Sequence, residues 1–262
     1  QTMDLELKGK HVLVTGASKG IGRACAEALA AEGCMVMIAA RDAGRLNAAA
    51  AEIAARTGAE VKACPTDLSQ RGSAEALSAW AGELDILVNN AGAIPGGDLL
   101  KVDEETWRRA WDLKVFGYIN LCRAAYADMK RRKRGVIVNV LGNAGEKLDA
   151  SYIAGSTANA GLMAFTRALG GVSHADGIRV VGVNPGPVST DRLISLYRQR
   201  AEVKLGDPER YQELFEGMSF GRPATPEEIA ASVAFLASPH SSYTTGCILS
   251  IEDSGRWHGH HA

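Results

Sequence analysis

An α/β fold, with a parallel, doubly wound seven-stranded sheet and helices on both faces, is predicted by three features of this 262-residue chain. Short apolar, β-rich runs alternate with Ala-rich helical stretches almost throughout. Most of those runs lack polar alternation, as expected for strands covered on both faces. A glycine-rich turn, TGASKGIG at Thr15–Gly22, joins the first run to the first helical stretch. Strand-helix-strand order of this kind implies parallel neighbours.

The elements follow in order. His11–Thr15 reads as the first strand, and Ile21–Glu32 as a helix closed by Gly33. Met35–Ala39 is the second strand and Arg45–Arg56 the second helix, ended by Gly58. Val61–Pro65, Asp85–Asn89, Val136–Val140, Ile178–Val183 and Cys247–Ile251 complete the strands. Further helices are expected over Ala74–Ala81, Glu104–Arg131, Tyr152–Ser173 and Glu227–Ala237. No repeat, low-complexity segment or internal linker interrupts the pattern, so residues 1–262 read as one domain. The long connection 191–225 is polar and helical in parts, and is read as a lid inserted over a pocket.

Bulk composition narrows the function classes. Hydrophobic residues make up 46% and charged residues 23%, ordinary for a soluble globular protein. A net charge of −1 offers no field for nucleic acid or for an anionic membrane. The run Lys130–Arg134 reads as a solvated helix end, where cations suit the helix dipole. Five scattered cysteines without a CxxC pair point to reduced thiols and a cytoplasmic location. No stretch reaches transmembrane length and no signal peptide is expected. Gln1 and Thr2 read as an expression scar. His258, His260 and His261 read as a loose polar tail, so no metal is expected.

In the glycine turn, Gly16, Gly20 and Gly22 stand in GxxxGxG spacing around Ser18, Lys19 and Ile21. Such glycines permit a tight turn and let backbone amides approach a pyrophosphate at a helix N-terminus. Asp67 follows the third strand, NNAG (Asn89–Gly92) the fourth, and NPGPVST (Asn184–Thr190) the sixth. With these four motifs in order, the chain resembles the short-chain dehydrogenase/reductase family over nearly its whole length. The resemblance implies a Rossmann-like fold, an oxidoreductase acting on a small molecule, and a homodimer or homotetramer. It also implies that Asp67 and Leu68 border the adenine and that Asn90, Ala91 and Gly92 line the cofactor cleft. Val188 and Thr190 would hold the nicotinamide carboxamide, beside Pro185 and Gly186. The second strand ends in Ala39-Ala40-Arg41, without the acidic side chain a free ribose hydroxyl usually meets. Arg41, with Lys19, suits a 2′-phosphate, so the expected cofactor is NADP(H). Asp42 stands one position late and is read as solvated or as a helix cap.

The catalytic end departs from the family pattern. There a Tyr serves as acid/base, a Lys four residues on lowers its pKa, a Ser orients the substrate oxygen and an Asn organises a water. In YIAGSTANAG (Tyr152–Gly161) the fourth residue after Tyr152 is Ser156. LMAFTRALG (Leu162–Gly170) matches the family helix just beyond that pair, and counting back puts Gly155 at the Tyr position and Asn159 at the Lys position. GVIVNVLGNAG (Gly135–Gly145) puts Gly142 at the Ser position, and the usual spacing from there again reaches Gly155. WDLKVFG (Trp111–Gly117) puts Lys114 at the Asn position. Tyr152 therefore lies about one helical turn before the family Tyr.

Two readings follow: catalysis was lost and nucleotide binding kept, as in a sensor or scaffold, or the site was reassigned. In the second, Lys114 protonates an oxygen or pairs with a substrate carboxylate, and Tyr152 leans into the space left by glycine. A non-redox lyase or hydrolase reusing the cleft is a third. Lys114, Tyr152 and Asn159 are the candidate catalytic residues. Glu146 and Lys147, in the loop after the fifth strand, are further candidates or else solvated loop charges, and His174 reads as a helix-end cation. Leu193, Ile194, Leu196, Tyr197, Tyr211, Leu214, Phe215, Met218 and Phe220 suggest an apolar ligand, or a lid that only packs.

Overall fold

The computed structural model describes residues 4–218 and 220–252; the scar and the histidine tail lie outside them. Seven parallel strands form one sheet in the order β3-β2-β1-β4-β5-β6-β7. They are β1 His11–Thr15, β2 Met35–Ala40, β3 Val61–Pro65, β4 Ile86–Asn89, β5 Gly135–Val140, β6 Ile178–Pro185 and β7 Ile248–Ile251. The helices are α1 Gly20–Ala31, α2 Ala43–Thr57, α3 Ser73–Ala81, α4 Glu104–Trp111, α5 Gly117–Arg132, α6 Ile153–Ser173, α7 Asp191–Leu205 and α8 Pro226–Ala237.

The missing alternation in the strands has its reason in the two cores. Val12 and Val14 of β1 point to one face, among Leu29 of α1, Ile53 of α2 and Val233 of α8. Leu13, between them, points to the other face, among Leu77 of α3 and Leu121 and Met129 of α5. Leu13 thus has an apolar neighbour on either side because β1 is covered on both faces.

Helix ends are set by local chemistry. Asp42 caps α2 by accepting from the Arg45 amide at 3.0 Å. Thr225 and Glu228 form a reciprocal capping box at the start of α8. The basic run at the end of α5 pairs with Asp128, Asp176, Asp85 and Glu83. The expected single helix Glu104–Arg131 is broken. Asp112–Phe116, which carries Lys114, winds as a π-helical segment between α4 and α5. One extra residue in a turn leaves no mark in a 3.6-residue apolar pattern, and such bulges gather at functional sites. The segment 191–225 contributes α7 and a 3₁₀ stretch, Pro208–Phe215. Tyr197 and Tyr211 pack their rings on Phe215, at centroid distances of 4.9 and 5.7 Å.

Two glycines of α6 test this packing in opposite directions. Gly161 is exposed, with open space around a Cβ, so Gly161→Ala should stabilise by roughly 0.5–1 kcal/mol through the unfolded chain. At Gly170 a Cβ would meet the Gly246 Cα and the Val180 carbonyl oxygen, both at 2.5 Å. Gly170→Ala should therefore destabilise by roughly 1–3 kcal/mol, and urea denaturation of both variants checks the opposite signs.

Candidate active site

Strand β1 has β2 on one side and β4 on the other, so their connections leave in opposite directions and a crevice opens at the carboxyl ends. A cleft of about 1040 Å³ occupies that crevice. Gly16, Ser18, Lys19, Gly20 and Ile21 form its floor at the N-terminus of α1. Gly16 and Gly20 have φ of 66° and 58°, the left-handed region that glycine adopts without strain. Gly22 serves close packing instead, because a Cβ there would overlap the Asn90 amide and lie 2.8 Å from the Gly16 carbonyl carbon. Asn90, Ala91 and Gly92 line the opposite wall. Asn90 is fixed by donating from Nδ2 to the Thr15 and Gly16 carbonyls, both at 3.2 Å.

The far end of the cleft is cationic. Arg41 and Lys19 line it, Ala40 supplies no acid, and the Asp42 carboxylate is held by the α2 cap. Leu68 lines the cleft beside Thr66. Asp67 is half-buried and accepts from the Ser69 amide at 3.0 Å and the Ser69 hydroxyl at 2.7 Å. Burial pushes its carboxyl up, but those bonds, one from Gln70 and the Arg41 charge together hold it below its ordinary value. Thr190 lines the cleft and caps α7. Pro185 ends β6, the Gly186 amide donates to Ile251, and Val188 is buried with its backbone paired to Ala224. The glycine cradle, the length of the cleft and its cationic end fit a dinucleotide.

Beside this cleft, Tyr152, Asn159 and Lys114 pack against the glycines at positions 155, 142 and 92. A Cβ at Gly155 would overlap ring atoms of Tyr152, with Cδ1 at 2.6 Å. The Tyr152 ring thus occupies the room a side chain at 155 would need. Tyr152 is the N-cap residue of α6, which lets its side chain fold back over the first turn. Ser156 takes no part: it is buried, and its hydroxyl accepts from the Asp149 amide at 3.0 Å. Asn159, 2% exposed, donates to the Gly155 carbonyl at 2.9 Å, while its Oδ1 has no partner among the described residues. A Cβ at Gly142 would lie 3.2 Å from that amide group, so Gly142 and Asn159 face each other.

Lys114 closes the opposite side. Its stem covers Gly92, and its ammonium donates to Leu141 O at 3.4 Å and lies 5.8 Å from the Tyr118 ring centroid. Burial, with the Arg192 charge adding to it, lowers its pKa to about 8. Arg192 is the side chain that the sequence reading missed. It extends from the first turn of α7, donates to Ile94 O at 2.7 Å, and its charge acts on the Tyr152 phenol. Burial raises the phenol pKa, and Arg192 brings it only part of the way back.

Glu146 and Lys147 are not the solvated loop charges expected of them. Lys147 pairs at 2.9 Å with Glu252, whose side chain is 7% exposed. Glu146 pairs with Arg167 and accepts from Ser250. Both tie the loop after β5 to the end of β7. His174 follows α6 as its C-cap residue. None of the nine apolar side chains of 191–225 lines the large cleft.

The ammonium of Lys114 has a measurable thermodynamic signature. Folded, it titrates near 8, against an ordinary 10.5. Between those values the unfolded chain binds more protons, so this contribution to stability rises with pH. Wild type minus Lys114→Met should therefore gain on the order of 1–3 kcal/mol between pH 7.5 and pH 10. Denaturant titrations at several pH values check it; a flat difference refutes the depressed pKa.

Comparison with known proteins agrees with this geometry. The family profile described as short chain dehydrogenase matches residues 10–201. The galactitol 2-dehydrogenase (L-tagatose-forming) of Cereibacter sphaeroides is 34% identical over 248 residues, covering 94% of each chain. A 3-oxoacyl-[acyl-carrier-protein] reductase of Chlamydia muridarum is 32% identical, covering 95% of this chain and 98% of its own. L-sorbose reductase from Gluconobacter frateurii, solved with NADPH and L-sorbose, superposes with a TM-score of 0.90 at 29% identity. That alignment covers 95% of this chain and 97% of the reductase.

Proposed function

The chain belongs to the short-chain dehydrogenase/reductase family of oxidoreductases, and on that premise we propose that it is an NADP(H)-dependent oxidoreductase with a rebuilt proton-transfer site. The observation that carries this reading is the Tyr152 ring in the space above Gly155. A decayed site would keep the void or collapse into it. Here a phenol ring fills it, and the Arg192 charge acts on that phenol.

When bound, the reduced nicotinamide supplies a hydride to a carbonyl carbon. Gly16, Ser18, Lys19, Gly20 and Ile21 would hold the diphosphate. Arg41 and Lys19 would take the 2′-phosphate, Asp67 and Leu68 would border the adenine, and Asn90, Ala91 and Gly92 would flank the ribose. Pro185, Gly186, Val188 and Thr190 would hold the carboxamide end. On a bound substrate, Lys114 would give a proton to the carbonyl oxygen as that oxygen takes the bond pair, and would become a neutral amine. A pKa of about 8 suits that task, since a general acid works best near the operating pH. Tyr152 orients the same oxygen by hydrogen bonding, and Asn159 Oδ1 accepts from a hydroxyl of the cofactor ribose or of the substrate. The 191–225 segment serves as the lid, with its aromatic residues spent on packing it. The family relationship supports a homo-oligomeric, cytoplasmic enzyme acting on small molecules.

Cofactor choice is tested by titrating each nucleotide against protein fluorescence. NADPH should bind roughly 10–100-fold tighter than NADH, the worth of a charge-assisted phosphate contact. Arg41→Ala should erase most of that difference; equal affinities in wild type refute NADP(H) selectivity.

Turnover is tested separately. Simple aldehydes, ketones and secondary alcohols should give negligible rates, because the ammonium lies across the pocket from the family's acid position and does not align with a generic carbonyl. On a substrate that is turned over, Lys114→Met should lower kcat by roughly 10²–10⁴-fold. Rates on simple ketones typical of the family would contradict the rebuilt site.

A further inference from the structure

A second cavity, of about 650 Å³, opens at the amino ends of β4, β5 and β6, at the opposite end of the strands from the cofactor cleft. Its walls carry three cations from three parts of the chain: Lys10 ahead of β1, Arg134 ahead of β5 and Arg179 in β6. One carboxylate, Asp85, shares the cavity, and it is already engaged. It accepts from the His11 amide at 3.0 Å and lies 3.6 Å from Arg134 and 4.0 Å from Arg132. Among the described residues, Lys10 and Arg179 pair with no carboxylate. Arg179 is half-buried and fixed in place. Its Nη1 donates to the Leu236 and Thr244 carbonyls at 2.8 and 3.3 Å, and its Nη2 to the Ser238 carbonyl at 3.0 Å. The carbonyls at the end of α8 account for where the guanidinium sits. They leave Nε–H and one Nη2–H without an acceptor among the described residues, and that edge meets an oxyanion with two parallel bonds.

The rest of the wall is apolar, with Leu7, Ile86 and Ile178 buried behind it and Tyr243 fully exposed. Apolar walls with a few convergent polar groups, in a cavity of this size, suit a small organic molecule. Three cations against one bonded carboxylate leave an excess of two positive charges, and a cavity lined by one sign of charge concentrates the opposite ion. We infer that this cavity binds a phosphate monoester with an apolar or aromatic body. Arg179, Lys10 and Arg134 take the phosphoryl group, whose charge near neutral pH approaches −2, and Leu7, Ile86 and Ile178 take the body. A carboxylate would meet only half of the excess. The cavity shares no lining residue with the cofactor cleft, so the site is independent of the oxidoreductase reading.

The probe is phenyl phosphate, titrated by calorimetry into the full-length protein at neutral pH. NADP⁺ is kept saturating, because the glycine turn of the cofactor cleft also suits phosphates. Phenyl phosphate should bind roughly tenfold or more tightly than either phenol or inorganic phosphate, since each lacks half of what the cavity holds. The double variant Lys10→Met/Arg134→Met should weaken that binding by roughly tenfold or more and leave NADP⁺ affinity as in wild type. Arg179→Lys keeps the charge without the fork and should weaken it too; where that variant fails to fold, the double variant decides. No saturable binding to wild type overturns the inference, as does equal affinity for inorganic phosphate. So does binding that survives the double variant undiminished, or that disappears when NADP⁺ is added, since the anion would then sit elsewhere or in the cofactor cleft. Failure of NADP⁺ to bind would count against the oxidoreductase reading alone, and the double variant titrated without nucleotide still decides this site.

Discussion

The side chain of Thr15, at the end of β1, is where the molecule's function begins. Its hydroxyl accepts the amides of Asn90 and Ala91, at 3.0 and 3.1 Å, across the gap where the connections of β1 and β4 part. Asn90 returns two bonds from its amide to the Thr15 and Gly16 carbonyls. The hydroxyl is fully buried, so each bond is made away from competing water. This clamp fixes the glycine turn against the loop after β4 and so sets the width of the cofactor cleft. Gly22 is part of it, because nothing larger fits between α1 and the clamp. The loop it anchors runs on through Gly92 to Ile94, the floor under Lys114 and the acceptor for Arg192. Cofactor cleft and reacting pocket thus share one wall.

On the reading proposed above, the chemistry on that wall is redistributed over other elements. Family members place phenol and ammonium one helical turn apart on a single helix. Here the phenol comes from the helix cap, the ammonium from a π-helical turn on the other side, and a guanidinium from the next connection. A phenol raised by burial is a hydrogen-bond donor rather than a ready acid, whereas an ammonium lowered by burial is a ready acid. The same low-dielectric surroundings push the two groups in opposite directions, and that divides their roles.

How much of this was legible in the sequence follows from where each signal lives. The sheet and its order of elements were readable because burial on both faces leaves long apolar runs, and the seven strands match their expected positions within two residues. Glycine spacing marked the nucleotide turn because a close backbone approach demands that residue type. Gly142 faces Asn159, and the Tyr152 ring covers Gly155. What stayed hidden was carried by geometry alone. The π-helical turn at Asp112–Phe116 has no periodic signature. Arg192 stands two residues after Thr190 in a polar helix, and only the direction of the first turn of α7 aims it inward. Lys147 and Glu146 looked like loop charges because their partners, Glu252 and Ser250, are about a hundred residues away. Ser156, four residues after Tyr152, is spent on the Asp149 turn.

The central claim is that the Tyr152 ring occupies the side-chain space of residue 155. A double-mutant cycle on Gly155→Ala and Tyr152→Ala measures it directly, with folding free energies from urea denaturation. Beside Tyr152, an added methyl must expel the ring, so Gly155→Ala should destabilise by roughly 1–3 kcal/mol. In the Tyr152→Ala background the methyl meets open space inside a helix, and the same substitution should be neutral or stabilise by up to roughly 1 kcal/mol. A coupling of that sign and size establishes the ring's place in the site. The same cost in both backgrounds would show that the ring lies elsewhere and would contradict the account.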